Sequence, residues 1–142
     1  MIDFRDVVIR LGVALVFGAL IGIDREFRQK QAGLKTLTLV SLGAAAFAMM
    51  SNTFGPGNHN PAQVVAAVVG GIGFIGAGVI LHHGGTVEGV TTAATLWAAA
   101  SVGVAAGLGY YSLAVVLTIA IAIVQVTFPR IEKLIPRAPR KD

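Results

Sequence analysis

Five long apolar runs constrain this sequence more than any other feature. They comprise Val7 to Ile23, Leu34 to Phe54, Ala62 to Leu81, Val90 to Leu108 and Tyr111 to Phe128, and their only charged residues are Arg10 and Lys35. A helix that crosses the hydrocarbon core of a bilayer, roughly 30 Å thick, needs about 20 largely apolar residues. The sequence therefore predicts an all-α integral membrane protein. We expect a bundle of about five transmembrane helices over residues 1–128, followed by a basic cytoplasmic tail over 129–142.

The composition agrees with a lipid environment. Apolar residues make up 55% of the chain and charged residues 13%, whereas a soluble domain has about 25% charged residues. All five prolines lie outside the apolar runs, and there is no cysteine. Because the charges gather at the borders of the runs, the lipid bilayer is the expected partner and a nucleic acid is not. The absence of cysteine excludes thiolate chemistry and Cys-ligated metals.

The basic residues predict the orientation. Nine of the eleven Lys and Arg residues lie either in the segment 24–35, which joins the first two runs and includes Lys35 at the start of the second, or in the tail. The positive-inside rule puts these segments in the cytoplasm, which leaves the amino terminus outside the cell. The loop "HHGGTVEG" between the third and fourth runs is then also cytoplasmic. Arg10 lies near the outer end of the first helix, where we expect it to pair with Asp6, four residues earlier.

The stretch "GGIGFIGAG" contains Gly71, Gly73 and Gly76 in the G-x-G-x-x-G order of a dinucleotide-binding turn. Such a turn lies between a short strand and a helix, whereas these glycines lie in the middle of an uncharged apolar run. They are more typical of a transmembrane helix whose small residues allow close packing. Similar spacing recurs along the chain, and the predicted packing residues are Gly18, Gly22, Gly70, Gly73, Gly76, Gly103 and Gly107. These faces could meet within one chain or between the subunits of a homodimer or other homo-oligomer.

Several stretches together resemble the MgtC/SapB family of membrane proteins. "GALIGIDREFRQKQAGLKTLTLVSLGAA" (18–45) is similar to its acid-Arg-Glu triplet, A-G-L-[RK]-T element and glycine-containing helix. "GGIGFIGAGVIL" (70–81) and "VEGVTTAATLWAAASVGVAAGLGYY" (87–111) are similar to its most recognisable block. The resemblance implies an inner-membrane protein without an enzymatic reaction. It also implies adaptation to low magnesium, survival of pathogens within host cells and, in some members, restraint of the membrane ATP synthase.

The candidate functional residues lie at the cytoplasmic ends of the helices. The predicted functional cluster consists of Asp24, Arg25, Glu26, Lys35, Thr91 and Thr92, of which the first three match the family's triplet. Three carboxylates on this side, Asp24, Glu26 and Glu88, could hold hydrated Mg²⁺, since magnesium prefers oxygen ligands. The alternative is a solvated cluster that fixes the depth of the helices, with the threonines in capping and packing roles. No other cofactor is predicted, and Trp97 is expected to pack inside the bundle.

Two functions remain open from the sequence. The first is a non-enzymatic regulator of ion homeostasis that contacts a membrane partner or another copy of itself. The alternative is a small transporter or channel for Mg²⁺ or monovalent cations. A transporter usually has ionisable residues at mid-membrane, whereas the charges here lie at the edges. The sequence contains no recognisable catalytic constellation, so we do not expect an enzyme.

Overall fold

The computed structural model is a helical bundle, which confirms the predicted fold class. It describes residues 3–51, 61–83 and 86–134. Within these ranges it contains five helices, α1 (Phe4–Phe27), α2 (Leu34–Met50), α3 (Pro61–Val79), α4 (Val90–Gly107) and α5 (Tyr111–Glu132). Each predicted apolar run therefore forms a helix.

The helices differ in length from the predicted runs. α1, α3, α4 and α5 have the length and composition of membrane spans. α2 is apolar but has 17 residues, about 25 Å at 1.5 Å per residue. It ends before the predicted boundary at Phe54, although residues 52–54 lie outside the described part of the chain. α5 continues past Phe128 and includes Pro129.

A short hairpin, and not an irregular loop, connects α3 to α4. Strand β1 (Leu81–His83) pairs antiparallel with β2 (Thr86–Glu88). Gly89 follows with a φ of +87°, and a Cβ atom at this position would overlap the carbonyl group of Val79. Only glycine combines this backbone conformation with such a close approach. The connection therefore fixes where α4 begins relative to the end of α3.

Helix α4 lies at the centre of the bundle and contacts the other four helices. Its glycines allow α2 to approach closely, because Gly103 lies against the backbone of Ser41, and Gly107 against that of Ala45. The hydroxyl group of Ser41 donates a hydrogen bond to the carbonyl oxygen of Ala14 at 2.8 Å, which ties α2 to α1. Helices α1, α2 and α4 thus form a tightly packed unit, whereas α3 contacts mainly α4.

The prediction that Trp97 packs inside the bundle is wrong. Its side chain is 52% exposed on the outer surface of α4. In a membrane the lipid tails are as apolar as the protein interior, so hydrophobicity alone does not drive a large side chain inwards. The interior of α4 is instead filled by small residues such as Ala99 and Ala106, both fully buried.

Candidate functional site

The triplet Asp24, Arg25 and Glu26 lies in the last turn of α1, and its three side chains make three separate sets of contacts. Consecutive residues of a helix are about 100° apart around its axis, so the three side chains cannot share one direction. Asp24 binds Arg28 on the surface at 2.8 Å. Arg25 is buried, and Glu26 reaches the start of α2. The family motif therefore has three separate structural tasks.

Arg25 joins α1 to two other parts of the chain. Its side chain is only 5% exposed. Its Nε donates to the carbonyl oxygen of Ala32 at 2.8 Å, in the turn before α2. Its Nη2 and Nη1 donate to the hydroxyl oxygens of Thr92 (2.7 Å) and Thr95 (3.2 Å) on α4. The Thr95 hydroxyl in turn donates to the carbonyl oxygen of Thr91. One side chain thus holds together α1, the α1–α2 turn and α4.

The three acceptors of Arg25 are all neutral oxygens. Among the residues that the structure describes, the only salt bridge is the one between Arg28 and Asp24. A buried charge is costly unless hydrogen bonds replace its hydration, so the threonines and the Ala32 carbonyl make the burial of Arg25 tolerable. A guanidinium group stays protonated in proteins. The arrangement therefore suits a permanent cation that holds helices together and not a group that exchanges protons.

Glu26 explains the A-G-L element that follows the triplet. Its Oε2 accepts a hydrogen bond from the backbone N–H of Leu34 at 2.9 Å, which caps the first turn of α2. A Cβ atom on Gly33 would overlap this carboxylate. Alanine supplies the carbonyl for Arg25, glycine leaves room for Glu26, and leucine provides the capped N–H. The acid-Arg-Glu triplet and the A-G-L element are thus two halves of one structural joint.

The turn between α1 and α2 has a defined conformation. The backbone N–H groups of Gln29 and Lys30 donate to the carbonyl oxygens of Glu26 and Arg25 at 3.0 Å each. This is a Schellman motif, in which the residue after the helix cap is left-handed. Gln29 occupies that position with a φ of +52°, where glycine is the usual residue. Backbone hydrogen bonds therefore fix the start of the turn, and the contacts of Arg25 and Glu26 fix its end. Gln29 is strained within it.

The remaining predicted residues do not join this cluster. Lys35 and Thr91 are exposed, and Glu88 lies exposed on β2. Within residues 3–51, 61–83 and 86–134, no three His, Cys, Asp or Glu side chains could hold a metal ion together. Asp24 and Glu26 would have to leave Arg28 and the Leu34 N–H to reach such an ion. The present arrangement does not fit the suggested magnesium site, which stays a prediction.

A second arginine contact at the opposite end of α1 was missed by sequence reasoning. Nη1 of Arg10 donates to the carbonyl oxygen of Gly107 at 2.8 Å, at the end of α4. The expected ion pair with Asp6 is wrong, since the salt bridges of the described residues do not include it. A cation is favourable at a helix carboxyl terminus because the last carbonyl groups are unpaired. The predicted topology puts Arg10 and Gly107 on the same outer side of the membrane. The contact could therefore have been predicted from the topology together with the preference of a cation for a helix carboxyl terminus.

The predicted packing glycines fall into two groups. Gly18, Gly22, Gly103 and Gly107 lie against the backbone of neighbouring segments. On α3, a Cβ on Gly76 would be in ordinary contact with Ala93 at 3.5 Å, whereas Gly70 and Gly73 have no atom within 4 Å of the place where a Cβ would be. The packing role of Gly70 and Gly73 stays a prediction, and it would require a contact with a helix outside this chain.

Comparison with known proteins identifies a family. The MgtC family matches residues 11–134. The chain is 47% identical over 114 residues to Protein MgtC of Salmonella typhimurium, which covers 80% of this chain and 48% of that protein. It is 49% identical over 109 residues to Protein MgtC of Brucella abortus, which covers 77% and 45%.

A third relative extends over almost the whole chain. An uncharacterized protein of Synechocystis is 40% identical over 139 residues, which cover 96% of this chain and 58% of that protein. The chain thus spans about half the length of the curated relatives that it matches. No solved structure matches it significantly.

Proposed function

This chain belongs to the MgtC family, and on that premise we propose that it is a non-enzymatic inner-membrane protein that supports bacterial growth when magnesium is scarce. The family match covers residues 11–134 and so includes all or most of each helix. We propose that the amino terminus is outside and the carboxyl terminus in the cytoplasm. The nine basic residues of the segment 24–35 and the tail support this orientation.

The observation that carries the proposal is the use made of the buried polar groups. Arg25, Arg10 and Ser41 all form hydrogen bonds that join helices. α3 and α4 contain no charged residue, and α3 is one unbroken helix from Pro61 to Val79. Transporters usually have ionisable residues at mid-membrane and broken helices beside the substrate. The arrangement favours a protein that acts through its surface over a cation transporter.

We propose that the surface acts on another membrane protein, for which the family resemblance implies the membrane ATP synthase, and that the chain also associates with itself. The open face of α3 supports self-association, because small residues let helices approach in lipid. In pathogens the same activity would support survival inside host cells.

Growth in low magnesium tests the proposed role. A strain that lacks its own copy is supplied with the wild-type chain, with Arg25→Leu or with the surface control Arg28→Leu. We expect rescue by the wild type and Arg28→Leu and a loss of rescue with Arg25→Leu. The same proteins in proteoliposomes should give no saturable flux of Mg²⁺, Na⁺ or K⁺. Saturable flux would make the chain a transporter, and failure of the membrane-inserted wild type to rescue growth would contradict the proposed role.

Cysteine cross-linking tests self-association, because the chain contains no natural cysteine. We expect Gly73→Cys on α3 to give a disulfide-linked dimer in membranes under mild oxidation. Val116→Cys on α5, where the side chain is 62% exposed, is the control for random collisions. Equal cross-linking of the two variants would exclude α3 as the specific contact.

Co-purification tests the proposed partner. Recovery of ATP synthase subunits with the detergent-solubilised chain would support the proposed partner, and their absence would exclude a stable complex with it.

A further inference from the structure

A wide groove lies between α2 and α3. Its volume is about 1290 Å³. Apolar residues line its length, and they include Leu39, Val40, Val68 and Ile72. The groove exists because α3 packs mainly on α4 and touches α2 little. Two of its lining residues are glycines, Gly43 and Gly71, and neither has a neighbouring atom within 4 Å of its Cβ position.

The groove is polar only at its ends. Lys35 and Thr36 line the end near the α1–α2 turn, and Ser51 and Gln63 line the other. Lys35 is exposed, and among the residues described its ammonium group takes part in no salt bridge. A cationic end joined to an apolar channel is complementary to a molecule with an anionic head and a hydrocarbon tail.

We propose that this groove binds one anionic glycerophospholipid of the surrounding leaflet, with its phosphate on Lys35 and an acyl chain between α2 and α3. A leaflet has a hydrocarbon depth of roughly 15 Å, half of the bilayer core, which corresponds to about ten residues of helix. From Lys35 this depth reaches just past the middle of α2, near Ala45. The tail would therefore lie along the apolar part of the groove while the head stays at the membrane surface.

Two comparisons favour a lipid as the occupant. A smaller groove of about 300 Å³ between α3, α4 and α5 has no charged lining residue, so it lacks the complementary headgroup site. A second copy of the chain is less suitable in this groove. In a dimer with its axis along the membrane normal, groove against groove would bring two Lys35 side chains to the same depth, where like charges repel. An anionic lipid would neutralise this charge.

Native mass spectrometry of the full chain, purified in a mild detergent and mixed with phosphatidylglycerol or phosphatidylcholine, tests the headgroup contact. We expect about one phosphatidylglycerol per chain, retained about fivefold better than phosphatidylcholine, which is the ratio that one lysine near anionic lipid contributes. Lys35→Gln should remove this preference and Lys35→Arg should keep it. Lys30→Gln, an exposed lysine outside the groove, should have no effect. An equal effect of Lys30→Gln, or no preference in the wild type, would overturn the proposal.

Filling the groove tests the tail contact. Gly71→Leu places a side chain in the groove, and Gly70→Leu on the adjacent face is its matched control, because neither Cβ position has a neighbouring atom within 4 Å. We expect Gly71→Leu to reduce retention of both lipids at least fivefold and Gly70→Leu to leave it unchanged. Unchanged retention with Gly71→Leu would exclude a lipid in the groove. If Gly71→Leu instead dissociated a dimer, the occupant would be a second copy. Circular dichroism of each variant identifies any that does not fold, and for such a position alanine replaces leucine.

Discussion

The glycines of α1 and α4 and those of α3 have similar spacing but opposite surroundings. Gly18 and Gly103 lie against the backbone of α2, whereas the Cβ positions of Gly70 and Gly73 on α3 have no atom of another segment within 4 Å. The close-packed glycines lie beside polar contacts between helices, such as the Ser41–Ala14 hydrogen bond. Small residues permit a close approach in lipid without supplying much attraction. The difference teaches that polar contacts between helices decide which glycine-containing faces pack against another helix of the same chain.

The strongest test of this comparison adds the same side chain to both regions. Gly103→Leu would force α2 and α4 apart at the Ser41 backbone, so we expect it to lower the free energy of unfolding by about 3 kcal/mol or more, the upper end for overpacking. Gly73→Leu should change it by less than about 0.5 kcal/mol. Both are measured by titration of the detergent-solubilised protein with sodium dodecyl sulfate, followed by circular dichroism. Equal losses would mean that α3 is as tightly packed as α4.

The next largest effect should come from Arg25, the polar contact of the packed region. Arg25→Leu removes three hydrogen bonds from a buried cation, and we expect a loss of about 1.5–3 kcal/mol. Arg28→Leu removes an exposed ion pair and should cost less than about 1 kcal/mol. The same titration measures both variants. A smaller loss for Arg25→Leu than for Arg28→Leu would show that the buried contacts do not stabilise the bundle.

A smaller effect is expected at the cap of α2. Glu26→Ala leaves the Leu34 N–H without its acceptor, which should cost about 1 kcal/mol. Glu26→Gln keeps an oxygen acceptor and should recover part of this loss. Hydrogen exchange at the first turn of α2 provides the local measurement. If the alanine variant exchanges no faster there than the glutamine variant, the carboxylate is not the cap that the structure indicates.

The smallest effect should be a gain in stability at Gln29. A left-handed conformation costs a residue with a side chain roughly 1–2 kcal/mol. Glycine avoids this cost, but it lowers stability by about 0.4–1 kcal/mol because it makes the unfolded chain more flexible. Gln29→Gly should therefore stabilise the protein by about 0.5–1 kcal/mol, measured as a shift of the unfolding midpoint. Lys30→Gly, one residue later, should destabilise it. A gain for both substitutions would attribute the effect to flexibility of the turn and not to relief of strain.

The sequence predicted the helices well, because hydrocarbon imposes length and polarity on any segment that crosses it. It could not predict which neighbour each helix would face. Trp97 illustrates the reason, since an apolar side chain in lipid gains little from turning inwards. The same limit applies to the glycines, whose spacing is equally suited to a contact inside the chain and to one outside it.

The candidate site was located from the sequence, but its contacts were not. Asp24, Arg25 and Glu26 are adjacent in sequence, and adjacency predicts a single cluster. A helix turns each of them to a different side, and only the position of α4 decides that Arg25 is the buried one. The contact of Arg25 with Thr92 joins residues 67 positions apart, a pairing that a single sequence does not reveal.

The two arginines of α1 have a mechanical consequence. Arg25 holds the start of α4 through Thr92, and Arg10 holds its end through the Gly107 carbonyl. A piston-like slip of one helix along the other by a single turn, 5.4 Å, would have to break both attachments at once. α1 and α4 therefore form one rigid unit that is joined near both faces of the membrane. A conformational signal that crosses the bilayer through this protein would have to be a tilt or rotation of α3 or α5 relative to this unit.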